Sequence, residues 1–312
     1  MPNEKKGTTK TSPISVQPLT VHIGAEISNV DLSYPLSAHE ITAIRGALLR
    51  WKVVFFREQH LSHQQHIQFA RQFGETTPAH VVFGSDPNHP EIYPVTKKRT
   101  AFAARPDVMR VWTDWHTDVT AALNPPFASI LRAVVVPPYG GDTQWTNMVA
   151  ALNGLSPVMQ NFLKSLRALH RFKRASSGQN ATAYNDLVDS QALSTEHPFV
   201  TVHPETKEHS LFTNQEFVKE IIGLSPAESE NLLHFLWEHC VRPEFTVRFR
   251  WQPGSIAFWD NRATQHLAVR DVYDTDFDRE FYRVTLGGEI PVGIDGKHSV
   301  GLSGNPIQTI RH

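Results

Sequence analysis

The sequence predicts a mainly β fold with flanking helices, built on a double-stranded β-helix (jelly-roll) core. Short segments with the composition of strands fall into two separated blocks, and helical patterns lie between the blocks. No internal repeat period is evident. A chain of 312 residues is long enough to bury one large core. We therefore expect a disordered tail over residues 1–14 and a single domain over residues 15–312.

The N-terminal block begins with two predicted strands, because residues 15–33 alternate apolar and polar side chains between Gly and Asn. Residues 37–51 predict a helix, with Ser37 at the N-cap and Glu40 at the capping-box position. The run "KVVFFRE" predicts a strand, and "SHQQHIQFARQFG" predicts a helix with a Ser cap and a terminal Gly. Residues 75–110 show no sustained period, so we expect a loop there with one strand, "EIYPV".

The middle of the chain predicts a buried strand, a sharp turn and a second strand in "FASILRAVVVPPYGGDTQW". Helical patterns follow over residues 146–168. The segment "SSGQNATAYNDLVDS" predicts a mobile loop, and we expect a lid around residues 174–195. The C-terminal third predicts one helix near residues 226–241 and strands in "FVTVHP", "HSLFTN", "FTVRFRWQ", "SIAFWDN" and "REFYRVTLGG".

Charge and composition exclude several classes of protein. Lys and Arg total 30 against 31 Asp and Glu, so no global basic field exists to hold nucleic acid or an anionic membrane. No apolar run has the length of a signal peptide or a membrane span, and we expect a cytoplasmic protein.

The one cysteine, Cys240, excludes an internal disulfide and is expected to pack in the core. Trp115 and Trp259 are also expected to pack there.

The run "DWHTDVT", residues 114–120, sets a histidine and an acid two positions apart. In a strand, alternate side chains share a face, so His116 and Asp118 would point the same way. Such a pair is weak evidence alone, because the chain has 17 histidines. His266, which follows an apolar strand and a turn, is the candidate third ligand and is expected at the start of the next strand or at its lip.

Two imidazoles and one carboxylate on one side of a metal form the facial triad of non-haem Fe(II) oxygenases. The triad leaves coordination positions open for chemistry, whereas a structural zinc site is closed. Four cysteines, or extra histidines at zinc spacing, are absent from the sequence. Structural zinc is therefore a poor interpretation of these residues.

Several stretches resemble the taurine/2,4-D dioxygenase family of Fe(II)/2-oxoglutarate-dependent enzymes. They run from about residue 15 to residue 290 and include "IGAEISNVDLS", "KVVFFREQ", "WHTDVT", "PPYGGDTQW", "HPETKEHSLFTNQEF", "FRWQPGSIAFWDNRATQH" and "REFYRVTLGG". The resemblance implies Fe(II) as the metal, 2-oxoglutarate as co-substrate and O2 as oxidant.

By this resemblance His116, Asp118 and His266 are the iron ligands. Arg279 would hold the distal carboxylate of 2-oxoglutarate, because the planar fork of arginine grips a carboxylate bidentately. Thr143 would add a hydroxyl donor to the same carboxylate. Without the family context, Thr143 is also explained as a turn residue after Gly-Gly.

The resemblance also implies substrate-binding roles for Arg283, His80 and Val119. Arg283 lies four residues after Arg279, so both side chains would share one face of a strand. In the family the second arginine meets the anionic head of the substrate, although spacing alone leaves a surface cation equally open. His80 falls near the position where relatives place a histidine that contacts this head group.

The expected reaction hydroxylates a substrate carbon and releases succinate and CO2. If that carbon bears a sulfate, sulfonate or aryloxy group, the product collapses to an aldehyde or ketone. The stretches "VGIDGKHSVGLSGNPIQTI" and "LRAVVVPPYGG" look closest to the alkylsulfatase branch, so an alkyl sulfate or sulfonate is the first expectation. Aryloxyalkanoate cleavage is the second, and a tailoring hydroxylation or desaturation in secondary metabolism is the third.

Some positions depart from the better-known branches. The chain has Ala121 and Ala122 after "WHTDVT", where relatives often place a larger aromatic at the first position. Trp112 stands where a small polar residue would meet a head group. Both departures suit a bulkier or less anionic substrate. A jelly-roll protein that binds metal without turnover is the alternative of another class, but no triad residue or keto-acid arginine is missing. Family members are commonly dimers or tetramers, so we also expect a homo-oligomer.

Overall fold

The computed structural model describes residues 13–80, 84–96, 114–172, 174 and 181–311. Trp112, residues 1–12 of the expected tail and part of the expected lid lie outside the described residues.

Sixteen strands are formed within these ranges. The first eight are β1 (Ser15–Pro18), β2 (Ala25–Ser28), β3 (Val53–Phe56), β4 (Tyr93–Thr96), β5 (Ala128–Val135), β6 (Thr143–Asn147), β7 (Arg167–Arg171) and β8 (Ser194–Pro198). The others are β9 (Val200–Val202), β10 (His209–Leu211), β11 (Val218–Ile221), β12 (Thr246–Phe249), β13 (Ile256–Asp260), β14 (Thr264–Ala268), β15 (Glu280–Leu286) and β16 (Val300–Ser303).

Six α-helices flank the strands. They are α1 (Ala38–Trp51), α2 (His63–Arg71), α3 (Met148–Asn153), α4 (Pro157–Leu163), α5 (Ala181–Gln191) and α6 (Pro226–Cys240). Helix α1 begins with the predicted capping box: Ser37 Oγ accepts from Glu40 N, and Glu40 Oε2 accepts from Ser37 N.

Two sheets form the core of the fold. The larger has the strand order β1-β2-β3-β13-β5-β15-β4, and the smaller has the order β12-β6-β14. Only β2 and β3 pair in parallel in the larger sheet. The chain alternates between the sheets from β12 to β15, as in a two-sheet jelly roll. The predicted fold class is therefore confirmed.

Large apolar side chains fill the space between the two sheets. Strand β5 shows the alternation that produces this core, since Leu131 faces the second sheet while Ile130 packs under α1 and α2. The main residues of the inter-sheet core are Phe55, Leu131, Trp145, Phe249, Trp251, Trp259 and Phe281. Cys240 is fully buried as predicted, in a separate core beneath α3, α4 and α6.

The helical region predicted over residues 146–168 divides into α3 and α4. The break follows from the sequence, because Gly154 ends α3 and Ser156 caps a new helix with Pro157 at its first turn. The loop predicted over residues 176–190 is wrong in part, since residues 181–191 form α5. Helix α5 buries Val188, an apolar contact that a freely mobile loop would lack.

In the described part of the chain, no helix has the length and apolar character that a membrane crossing requires.

Candidate active site

His116, Asp118 and His266 come together in one buried cluster. Each offers a ligand atom, and these atoms lie within 4.8 Å of one another. All three residues are buried, the histidine ring centroids are 4.2 Å apart, and His116 Nε2 is 3.9 Å from Asp118 Oδ1. Within the described ranges, no other group of His, Cys, Asp and Glu side chains has this arrangement.

The backbone brings the two histidines together. His116 N donates to His266 O at 3.1 Å, and His266 N donates to His116 O at 2.7 Å, so the residues face each other in an antiparallel bridge. His266 is the third residue of β14, inside the strand rather than at its start.

The expectation that His116 and Asp118 share one face of a strand is wrong. His116 forms a single bridge, and the chain then turns at Asp118. Thr117 Oγ1 donates to Thr264 O at 2.6 Å and fixes this turn against β14. Val119 has a φ of 50°, which is an outlier for a β-branched residue. The turn, not strand alternation, brings Asp118 to the histidines.

The protonation states at this cluster suit a metal. Burial raises the pKa of Asp118, but the charges of Arg283 and the histidines and a hydrogen bond from Ser129 outweigh it, so the pKa lies well below its usual range. Burial and the neighbouring His116 hold the pKa of His266 well below its usual value. An ionised carboxylate and a neutral imidazole are the forms that bind metal.

His116 is oriented for ligation by its own chain. Its Nδ1 lies 2.8 Å from Asp114 O, so Nδ1 carries the proton and donates, which leaves Nε2 as the free lone pair toward Asp118. The donor set of two imidazoles and one carboxylate therefore fits iron(II). Arg270, the neighbour of this segment, pairs with Asp114 at 3.1 Å.

Arg283 lies directly against the cluster. Its Nη1 donates to Asp118 Oδ1 at 2.5 Å, a contact that sequence analysis did not anticipate. Its Nε is buried and has no hydrogen-bond partner among the described residues. The interpretation of Arg283 as a surface cation is wrong, because only 8% of the residue is exposed.

Arg279 lies against the Gly-Gly turn. Its guanidinium carbon is 3.8 Å from the centroid of the Phe281 ring, and a side chain at Gly141 would approach Arg279 Nε to 3.4 Å. Gly141 has a φ of +68°, so this turn favours glycine because of its backbone conformation.

Thr143, the first residue of β6, is buried two residues after this turn. Its Oγ1 accepts a hydrogen bond from Trp251 Nε1 at 3.0 Å. An indole N–H can only donate, so the hydroxyl proton of Thr143 stays available for another acceptor.

His80 begins a row of aromatic rings that sequence analysis did not identify. Its ring centroid lies 5.1 Å from that of Tyr93 and 6.4 Å from that of Phe172, and Phe172 lies 5.1 Å from Phe217. The Arg283 guanidinium carbon is also 5.1 Å from the Tyr93 ring centroid. The structure therefore brings His80 and Arg283 to the same aromatic ring.

Comparison with known proteins agrees with this geometry. Residues 15–285 match the family described as "Taurine catabolism dioxygenase TauD, TfdA family". An alpha-ketoglutarate-dependent sulfate ester dioxygenase of Pseudomonas putida is 40% identical over 92% of this chain and 93% of its own. An alkylsulfatase of Acinetobacter baylyi is 36% identical over 92% and 89%.

A solved structure is also similar to this chain in sequence and fold. The crystal structure of a taurine dioxygenase from Burkholderia xenovorans is 54% identical, covers 94% of this chain and 96% of its own, and has a TM-score of 0.82. The jelly-roll fold, the family resemblance and the enzyme class predicted from the sequence are thereby confirmed. The chain belongs to the TauD/TfdA family of Fe(II)/2-oxoglutarate-dependent dioxygenases.

Proposed function

We propose that the enzyme oxidatively cleaves an alkyl sulfate or alkyl sulfonate. The observation that carries this proposal is the buried guanidinium of Arg283, which lies beside the triad and keeps an Nε donor without a partner among the described residues. A buried cation with an unused donor favours an anionic group. The relatives named a sulfate ester dioxygenase and an alkylsulfatase support this choice of anion.

His116, Asp118 and His266 would hold the iron. When bound with 2-oxoglutarate and O2, the iron would supply the oxidising chemistry for hydroxylation of a substrate carbon. Asp118 contributes a negative charge, and the hydrogen bond from His116 Nδ1 to Asp114 O keeps one ligand ring in a fixed orientation. All three side chains are buried, so their ligand atoms are shielded from bulk water.

Arg279 and Thr143 would hold the distal carboxylate of 2-oxoglutarate. The planar fork of Arg279 lies over the Phe281 ring, which limits its movement, and it borders the Gly-Gly turn. The Thr143 hydroxyl, which accepts from Trp251, would donate its own proton to the same carboxylate.

The substrate would lie alongside Arg283 and the aromatic row. Arg283 and His80 both lie against the Tyr93 ring and would receive the sulfate or sulfonate group. Phe172 and Phe217 continue the row with apolar surface suited to an alkyl chain. Val119 would form part of the pocket wall next to Asp118.

The overall reaction balances as a two-electron oxidation of each organic partner by one O2. One oxygen atom enters 2-oxoglutarate, which becomes succinate and CO2. The other forms a hydroxyl on the carbon that carries the sulfate or sulfonate. The carbon–oxygen or carbon–sulfur bond to that group then breaks, which yields an aldehyde and sulfate or sulfite.

A succinate assay tests the proposal. Protein loaded anaerobically with Fe(II) and 2-oxoglutarate is exposed to O2 with a panel of alkyl sulfates, alkyl sulfonates and aryloxyalkanoates. We expect an alkyl sulfate or sulfonate to stimulate succinate formation with equimolar sulfate or sulfite, and we expect His116→Ala to abolish both. Stimulation by an aryloxyalkanoate alone would replace the proposed substrate, and succinate without any released anion would indicate a tailoring oxidation.

Arg283→Met tests the head-group contact in the same assay. We expect its KM for the active sulfate or sulfonate to rise, while the KM for 2-oxoglutarate stays near that of the wild type. An unchanged substrate KM would remove Arg283 from the anion site.

Several expectations about the whole protein stay predictions. They are a single domain over residues 15–312, a lid around residues 174–195, a dimer or tetramer, a cytoplasmic location, and no nucleic-acid or membrane partner. Analytical ultracentrifugation tests the oligomer, and limited proteolysis with and without 2-oxoglutarate tests the lid.

A further inference from the structure

The second carboxylate oxygen of Asp118 is the end of a buried hydrogen-bond chain. Ser129 Oγ donates to Asp118 Oδ2 at 2.6 Å, Asn261 Nδ2 donates to Ser129 Oγ at 2.9 Å, and Trp259 Nε1 donates to Asn261 Oδ1 at 2.9 Å. The exposed fraction is 0% for Ser129, 2% for Asn261 and 1% for Trp259. We call Ser129, Asn261 and Trp259 the carboxylate relay.

The chemistry of the donors fixes the direction of every bond in this relay. An indole N–H can only donate, so the Asn261 amide must turn its oxygen to Trp259 and its NH2 to Ser129. The Ser129 oxygen then accepts, which leaves its proton for Asp118, where an ionised carboxylate can only accept. The relay therefore points one way, from Trp259 to Asp118, without an alternative hydrogen-bond pattern.

The relay is built on the most regular part of the fold. Ser129 in β5 lies directly opposite Trp259 in β13 in the antiparallel register. Asn261 follows β13, and its backbone N donates to Phe127 O at 2.8 Å, next to the start of β5. Asp118 itself lies on a turn, so the relay ties a loop-borne carboxylate to two paired strands.

The two oxygens of Asp118 are therefore unequal. Oδ2 accepts the hydrogen bond from Ser129 Oγ. Oδ1 accepts the hydrogen bond from Arg283 Nη1 and lies 3.9 Å from His116 Nε2. Rotation of the carboxylate would break the short bond to Ser129 and leave buried polar groups unpaired, which is costly. Oδ1 is thus the oxygen presented to the His116 imidazole.

We propose that Ser129, Asn261 and Trp259 are positioning residues that hold Asp118 with Oδ1 toward His116 and thereby set the affinity of the site for its metal. This inference rests on the proposed role of His116, Asp118 and His266 as metal ligands. Ser129 acts on Asp118 directly, and Asn261 acts through Ser129.

Metal affinity measured without substrate tests the relay. Mn(II) is titrated into metal-free protein, and free Mn(II) is counted by electron paramagnetic resonance. We expect Ser129→Ala to raise the Mn(II) Kd by about 10- to 100-fold, the usual cost of removing a partner of a ligand. Thr285→Val is the matched control, because Thr285 pairs with Ser129 across β15 and β5 and bonds to Thr77 instead of Asp118.

A double-mutant cycle tests the order of the relay. If Asn261 acts through Ser129, Asn261→Ala weakens Mn(II) binding, and the pair of substitutions weakens it no more than Ser129→Ala alone. Additive losses would overturn the relay. Equal losses in Ser129→Ala and Thr285→Val would also overturn it, because they would reflect a general disturbance of the core.

Asp118→Ala separates failure of the relay from failure of the metal assignment. If wild type binds Mn(II) and Asp118→Ala does not, a Kd for Ser129→Ala equal to that of wild type would overturn the relay alone. If Asp118→Ala binds Mn(II) as wild type does, both the relay and the proposed ligand set are wrong. The unfolding temperature of each metal-free variant is recorded, and a Kd change must appear in variants that stay folded.

Discussion

Replacement of Asp260 by Asn is expected to destabilise the protein strongly. Asp260 ends β13 and is fully buried, with His203 and Arg262 as its partners. His203 Nε2 lies 2.9 Å from Oδ2, and Arg262 donates to Oδ1 at 2.9 Å and to Oδ2 at 2.7 Å. Every partner is a donor, since His203 Nδ1 accepts from the backbone N–H groups of Glu205 and Thr206 and Nε2 must therefore carry the proton.

Asparagine keeps the size of this side chain but replaces one acceptor by an NH2 group. Whichever way the amide turns, a donor then faces a donor of His203 or Arg262. Breaking a buried ion pair by removing one partner costs about 3–5 kcal/mol. Arg262 keeps its contact with Glu205 at 2.8 Å. We therefore expect the free energy of unfolding to fall by about 3 kcal/mol, the lower end of this range.

Urea unfolding followed by tryptophan fluorescence measures this loss. Asp142→Asn is the control, because its partner Arg248 has a side chain that is 53% exposed and such a pair contributes less than about 1 kcal/mol. A loss below about 1 kcal/mol for Asp260→Asn would refute the reasoning, because it would mean that the buried pair contributes no more than an exposed one.

The same pair predicts a dependence on pH. Burial raises the pKa of Asp260, but the charge of Arg262 and the hydrogen bond from His203 outweigh it, so the folded pKa lies well below the unfolded value. The contribution of ionised Asp260 to the free energy of unfolding is complete above the unfolded pKa of about 3.9 and declines as the pH falls below that value. The difference in the free energy of unfolding between wild type and Asp260→Asn should be about 1 kcal/mol smaller at pH 3 than at pH 7. A difference that does not change with pH would contradict this prediction.

Three further predictions follow from single residues. Arg279→Lys keeps the charge but loses the bidentate fork, so the Kd for 2-oxoglutarate should rise at least about tenfold, whereas an equal Kd would remove Arg279 from that site. Gly141→Ala should lower the free energy of unfolding by about 1–2 kcal/mol because of its φ of +68°, while Gly46→Ala, in open space on α1, should raise it slightly. Burial raises the pKa of Cys240 to about 12, so a thiol reagent at pH 8 should label it only after unfolding in denaturant.

Local signals were sufficient to predict the elements that depend on neighbouring residues. The capping box at Ser37 and Glu40 lies within four positions, and both of its bonds form. The β-branched run of β3 and the apolar run of β5 also needed only their own composition. Helix α5 was missed because its surrounding polar residues are equally typical of a loop, and the burial of Val188 depends on distant parts of the chain.

The identity of the clustered residues was predictable, but their geometry was not. The family resemblance pointed to His116, Asp118 and His266, yet the turn that delivers Asp118 depends on a hydrogen bond from Thr117 to β14, 147 residues away. Ser129 carried a weak signal, as a polar residue within an apolar strand. Its contact with Asp118 becomes visible only when the strands are paired in three dimensions.

The mutual bridge between His116 and His266 has a consequence for how such enzymes diversify. Two of the proposed metal ligands, His116 and His266, are joined through main-chain atoms, which side-chain substitution does not remove, and the third, Asp118, is tied to paired strands. His80 and helix α5, by contrast, belong to connecting segments that carry no ligand. Exchange of these segments between relatives is therefore a route to new specificity that leaves the oxidising centre intact.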